Sequence, residues 1–223
     1  MGATQAPILF LTGKTNFRTL IAKRTPYKDR PSNKPFHYKN LIAYIKGKYE
    51  YRLTEGLEAD DLLSIEQEQA CKRATAAGGG EVLQTIICTR DKDLRAVGGW
   101  HYGWELGNQP SFGPEFVEGV GRLWLSPDRK SVKGVGLLFF YCQVLTGDKV
   151  DSIPGLEGCG PVKAYEILKD CKTSKDALNA VYKAYKAKYG MKGYSEMIEQ
   201  GRLLHMTRKL RADGTPVLWG QTQ

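Results

Sequence analysis

An apolar run that ends abruptly in charge constrains this chain more than any other feature. Val82 to Cys88 (VLQTIIC) predicts a buried strand, and it passes straight into TRDKD at 89–93. Ahead of it, Glu58 to Thr75 (EADDLLSIEQEQACKRAT) has the pattern of a helix, with acids in its first turn and Lys72 and Arg73 near its end. That polarity suits the helix dipole, and the glycine triplet at 78–80 ends the helix. Tyr51 to Thr54 and Ile8 to Leu11 predict two further strands. Strand and helix in alternation predict an α/β class with a parallel sheet. Functional residues gather at the carboxyl ends of such strands. The acids at Glu58–Asp61 and at Asp91–Asp93 both fall there.

Three acidic groups carry candidate chemistry: Glu58, Asp60 and Asp61; Asp91 and Asp93; Asp148 and Asp151. Carboxylates spaced i, i+2 or i, i+3 at element ends can converge on hard cations, which take oxygen ligands. Two such ions would activate a water and stabilise the leaving oxygen of a phosphodiester. Each group also has a plain reading, as a helix cap or a loop.

Beside the last pair lies GLEGCGP, with glycines at 155, 158 and 160 and Pro161 suited to the first turn of a helix. Glycines let backbone approach a phosphate that the helix N–H groups then bind, with Lys163 adding charge. A tight turn between helices would look the same. The segment from Lys23 to Lys39 (KRTPYKDRPSNKPFHYK) is basic and turn-rich, and reads as a surface excursion. With Arg18 it is either a phosphate-contact surface or a solvated loop. The aromatics between Trp100 and Trp124 are either local core or a stacking surface for bases. Helices are predicted near Asn40–Tyr49, Val135–Leu145, Ser174–Tyr189 and Ser195–Met206, before a polar tail from Ala212.

Composition narrows the partners. Thirty-three basic residues against 24 acidic give +9, which favours a polyanion, nucleic acid above all. The five cysteines are scattered and odd in number, which predicts reduced thiols rather than disulfides or zinc ligands. The three histidines have no metal spacing. No run is long and apolar enough for a membrane span, and the first residues lack a secretory pattern. A cytoplasmic monomer is expected, in the host cytoplasm if phage-encoded.

Together these segments resemble the 5′-nuclease superfamily: flap endonucleases, the 5′-nuclease domains of bacterial DNA polymerase I, and phage 5′→3′ exonucleases. GLEADDLL (56–63) is similar to the family's GVEADD, TRDKDL (89–94) to TGDKD, and GDKVDSIPGLEGCGPVKA (147–164) to GDxxDNIPGVxGIGxKxA. TGKTNFR (12–18) and YKDRP (27–31) resemble the approach to the family's helical arch. The resemblance covers roughly residues 8 to 206. It implies a parallel-sheet, PIN-like nuclease core at 1–131, with an arch-like segment at about 19–39. A helix–three-turn–helix element and C-terminal helices would follow at 132–223.

The function implied is metal-dependent 5′→3′ exonuclease or flap endonuclease action on DNA or RNA–DNA hybrids, as in replication and repair. Two Mg²⁺ or Mn²⁺ ions would be shared among Glu58, Asp60, Asp61, Asp91, Asp93, Asp148 and Asp151. Lys28 and Arg18 would contact the scissile phosphate. Arg30, Gly155, Gly158, Gly160 and Lys163 would hold duplex phosphates, with K⁺ at the turn. The pattern departs from the family at its start. Family members open on a strand ending in an aspartate, with a second aspartate after the next strand, whereas no acid precedes Asp29 here. An upstream segment or another polypeptide would supply the first of these; otherwise the resemblance implies a catalytically weak or inactive DNA-structure-binding homologue.

Overall fold

A computed structural model describes residues 5–29, 33–76 and 85–221. The interior is built around one helix. Gly136–Thr146 (α4 below) carries GLLFFYCQVLT, apolar on every side, and a helix of that kind is stable only when surrounded. Leu138, Phe139, Phe140, Val144 and Leu145 are all buried in the main core. Three later helices wrap it: α5 (Pro161–Leu168), α6 (Ser174–Tyr189) and α7 (Gly193–Leu204). Helix α6 presents Ala177, Val181 and Tyr185 at four-residue spacing, and the Tyr185 hydroxyl donates to the Val144 carbonyl at 2.6 Å. A capping box starts α6: Thr173 Oγ1 accepts from the Asp176 amide, and the Asp176 carboxylate accepts from the Thr173 amide. Leu168, at the end of α5, is fully buried in this core. Leu168→Ala is expected to cost about 2–5 kcal/mol, read as a lower urea midpoint at unchanged slope.

The N-terminal part supplies strands β1 (Leu9–Leu11), β2 (Tyr51–Leu53), β3 (Ile86–Cys88), β4 (Gly99–Gly103), β5 (Phe112–Val117), β6 (Arg122–Leu125) and β7 (Val132–Val135). It also supplies helices α1 (Arg18–Ile21), α2 (Tyr38–Lys48) and α3 (Ala59–Ala76). The parallel pairing predicted by the alternation is present: β1 with β2, and β3 with β4. Among the described residues the strands form three small sheets, β1-β2, β3-β4-β5 and β6-β7, with β5 and β7 antiparallel to their partners. The helix α3 packs against both β1 and β3, yet no described strand hydrogen-bonds the two together. The strand expected at 82–88 is seen over Ile86–Cys88, and its earlier part lies outside the described residues, as does the glycine triplet at 78–80.

The basic segment is not a free excursion over its first half. Tyr27 is buried in the main core. The Lys23 and Arg24 amides both donate to Glu199 of α7, Thr25 donates to the Ser152 carbonyl, and the Lys28 amide donates to the Asp151 carbonyl. Pinning of this kind follows from one apolar ring among the charges, a signal too sparse to register as periodicity. Helix α2, by contrast, buries none of its side chains. The aromatics at 100–124 pack on one another and on arginines: Trp100 against Phe116 at 5.2 Å, and Arg95 over Phe112 at 4.6 Å.

Candidate active site

Residues far apart in sequence meet in one pocket of about 180 Å³. Glu58 and Asp60 come from the start of α3, Asp91 and Asp93 from the segment after β3, and Asp148 and Asp151 from the turn after α4. Six of the seven predicted acids therefore converge. Each group arrives by local chemistry. The Asp93 amide donates to Asp91 Oδ1 at 2.8 Å, which closes a tight turn behind β3. Asp148 and Ile153 exchange two backbone hydrogen bonds of 2.8 Å, and Asp148 Oδ1 accepts from the Val150 amide at 2.8 Å.

Two ammonium groups stand among these acids. Lys28 Nζ lies 2.5 Å from Glu58 and 3.7 Å from Asp151; Lys92 Nζ lies 2.9 Å from Asp93 and 2.5 Å from Asp148. Burial alone would lower both lysines, but their hydrogen bonds to carboxylates and the surrounding negative charge hold them above the usual value. Asp148 sits below its usual range: burial pushes it up, and Lys92 with the Val150 amide outweighs that. Asp93 and Asp151 are raised by burial, only partly offset by Lys92 and Lys28 respectively. Asp60 is raised furthest, to about 7, first by burial and then by the charges of Asp91, Glu58 and Asp61. The pocket is short of positive charge.

Tyr27 and Lys92 belong to this site and were not singled out from the sequence. The Tyr27 hydroxyl lies 2.8 Å from Glu58 and 3.1 Å from Asp151, and burial with those two charges keeps the phenol protonated. The available signal was adjacency: Tyr27 precedes Lys28, and Lys92 separates the two aspartates of DKD.

Three predicted site residues are placed elsewhere. Arg18, expected at the scissile phosphate, is 1% exposed; Asp61, expected on a metal, is 0% exposed. They pair with each other through two bonds of 2.6 and 2.8 Å, a fork that satisfies both carboxylate oxygens. That pairing draws Asp61 below its usual range, although burial opposes it. Gly155, expected at a phosphate, is buried instead, and its amide donates to Gln200 at 3.0 Å. Gly158 and Gly160 do face open space, where an added Cβ would meet nothing within 4 Å. Gly160 caps α5, Pro161 opens it, and exposed Lys163 reaches the Gly158 carbonyl at 3.5 Å. Arg30 lies outside the described residues.

The donor set is all oxygen, which fits a hard divalent cation. Among the described residues no three acid, histidine or cysteine side chains form a ready cage for a metal ion. Lys28 and Lys92 hold the oxygens that a cation would take.

No family profile matches the chain. Over 119 residues, 52% of its length, it is 31% identical to a DNA polymerase I from Rhizobium leguminosarum, of which it spans 10%. The chain resembles the 5′-nuclease superfamily. Among solved structures, a phage T5 protein co-crystallised with metal ions superposes with a TM-score of 0.48 at 15% identity, over 88% of this chain and 71% of that one. A T5 5′-exonuclease mutant gives 0.45 at 15%, over 88% and 69%. A T5 flap endonuclease in a pseudo-enzyme-product complex with DNA and metal ions gives 0.46 at 14%, over the same shares.

Proposed function

We propose that the chain is a metal-dependent 5′-nuclease that hydrolyses phosphodiesters near the 5′ ends or flaps of DNA, or of RNA–DNA hybrids. One observation carries the reading: six acids from three motif segments, 56–63, 89–94 and 147–164, line one pocket beside a glycine turn. Glu58, Asp60, Asp91, Asp93, Asp148 and Asp151 would hold Mg²⁺ or Mn²⁺, which would supply water activation and charge for the leaving oxygen. The chain's own groups do the rest. Lys28, 38% exposed at the pocket, can leave Glu58 for a phosphate oxygen. Tyr27 keeps Glu58 and Asp151 in register. The Gly158–Gly160 backbone, Lys163 and the N-terminus of α5 receive the duplex backbone, with K⁺ as an added counter-ion there. A division into a nuclease core at 1–131 and a duplex-holding part at 132–223 follows from this reading.

A labelled 5′-flap duplex incubated with Mg²⁺ or Mn²⁺ tests it. Cleavage is expected, with Asp148→Ala reducing the rate at least about 100-fold, since metal and water positioning supply much of the barrier reduction. The ion pairing of Lys28 and Lys92 with the acids favours a second reading, a DNA-structure-binding protein without turnover. Tight, salt-dependent flap binding with no product in either metal would support that second reading and remove the first.

A further inference from the structure

Arg18 and Asp61 sit just behind the pocket, joined by a closed set of bonds. Arg18 forks onto Asp61, while its Nε donates to the Leu203 carbonyl at 2.9 Å and its Nη2 to the His205 carbonyl at 3.0 Å. Asp61 also accepts from the Glu58 amide at 3.1 Å and the Thr207 amide at 2.9 Å. These bonds reach the pocket's lining or its direct chain neighbours. Glu58, Leu203, Leu204 and Met206 line it, and His205 and Thr207 adjoin Met206 in sequence. Arg18 Nη1 further lies 3.4 Å from Glu58 Oε2, so the Glu58 backbone and carboxylate are both held from behind.

We infer that Arg18 and Asp61 are positioning residues that act through Glu58, fixing its carboxylate toward the cation site and tying the end of α7 to the start of α3. The inference rests on the nuclease reading for its cation. Neither group can touch a phosphate or a cation directly, because both are enclosed by protein. Only a guanidinium fits the arrangement: its planar fork serves two carboxylate oxygens and two carbonyls at once, which a lysine cannot do. Groups that orient a metal-holding side chain typically change metal affinity about 10- to 100-fold when altered.

The test is a mutant cycle on Mn²⁺ affinity, measured by calorimetry on the full chain. Arg18→Lys and Glu58→Gln are each expected to weaken Mn²⁺ binding about tenfold, and the double variant is expected to bind no more weakly than Glu58→Gln alone. Wild-type affinity in folded Arg18→Lys, or losses that multiply in the double variant, would overturn the inference. If Arg18→Lys does not fold, Asp61→Asn keeps the shape of the pair and is expected to show the same coupling at smaller size; its binding Mn²⁺ like wild type would overturn it equally. On the 5′-flap, kcat is expected to fall with KM for DNA within about twofold. A raised KM at unchanged kcat would assign Arg18 a phosphate contact and end the positioning role. Wild-type protein that binds Mn²⁺ without cleaving removes the nuclease reading, while the affinity cycle still decides this one.

Discussion

Asp60→Asn is expected to raise the melting temperature of the metal-free protein at pH 8 while reducing flap cleavage by two orders of magnitude or more. The folded-state carboxyl titrates near 7 against an ordinary 3.8. A carboxyl raised in this way holds its proton more tightly when folded. Its contribution is therefore most favourable below about pH 4 and is lost as pH climbs through 7. A shift of roughly three units corresponds to at most about 4 kcal/mol at pH 8, shared with the neighbours Asp91 and Glu58 that help cause it. For a chain of this length that is several degrees. Asparagine keeps the shape and removes the charge, so its advantage should shrink steadily from pH 8 toward pH 4 in chelator. Melts followed by circular dichroism across that range check it. An advantage independent of pH, or none, would mean that Asp60 is not the strained carboxylate. The loss of cleavage follows from the same carboxylate: the charge that is costly to bury in the metal-free protein is what a hard cation would bind.

Gly155→Ala should be the most disruptive single change in the turn. The backbone there has φ +67°, and a Cβ would lie 2.3 Å from the Gly147 amide nitrogen and 2.7 Å from the Thr146 carbonyl carbon. Gly147 is itself at φ +71°, wedged against the Ile153 carbonyl. Backbone presses on backbone, so no side chain can turn aside, and the turn must open. Left-handed strain and overpacking together come to about 2–5 kcal/mol. Because Asp148 and Asp151 lie within this turn, cleavage should fall with stability. Gly158→Ala is the matched control: φ is +74° there, but open space surrounds it. That variant should lose only about 1 kcal/mol, while losing flap affinity if a phosphate approaches the turn. Urea melts and salt-titrated flap binding separate the two. Equal stability losses in both variants would show that the Gly147–Gly155 contact is not what holds the turn.

Much of this was legible in the residues themselves. Local pattern suffices where a helix makes its own periodicity, so Ser174–Tyr189 is seen within the predicted bounds. The acids after β2, after β3 and after α4 announce themselves because carboxylates at element ends have few other uses in such number. Burial within a motif is harder to read. Asp60 and Asp61 are adjacent and alike in sequence, yet successive residues of a helix point about 100° apart. One enters the pocket and the other meets Arg18. Which one does so depends on where the end of α7 docks, and α7 is more than 130 residues further along the chain.

The sequence by itself determined the longer helices, the three acid groups and the glycine turn. These follow from interactions within a few residues or from side-chain chemistry alone, whereas the parallel pairing was only inferred from the alternation of strands and helices. Tertiary structure alone decided that Arg18 and Asp61 face inward, that Gly155 packs on Gly147 while Gly158 faces solvent, and that Tyr27 and Lys92 join the site. It also decided that the described strands part into three small sheets. Each of those outcomes depends on contacts between distant segments, whose free energy comes from burial and close packing that no local pattern encodes.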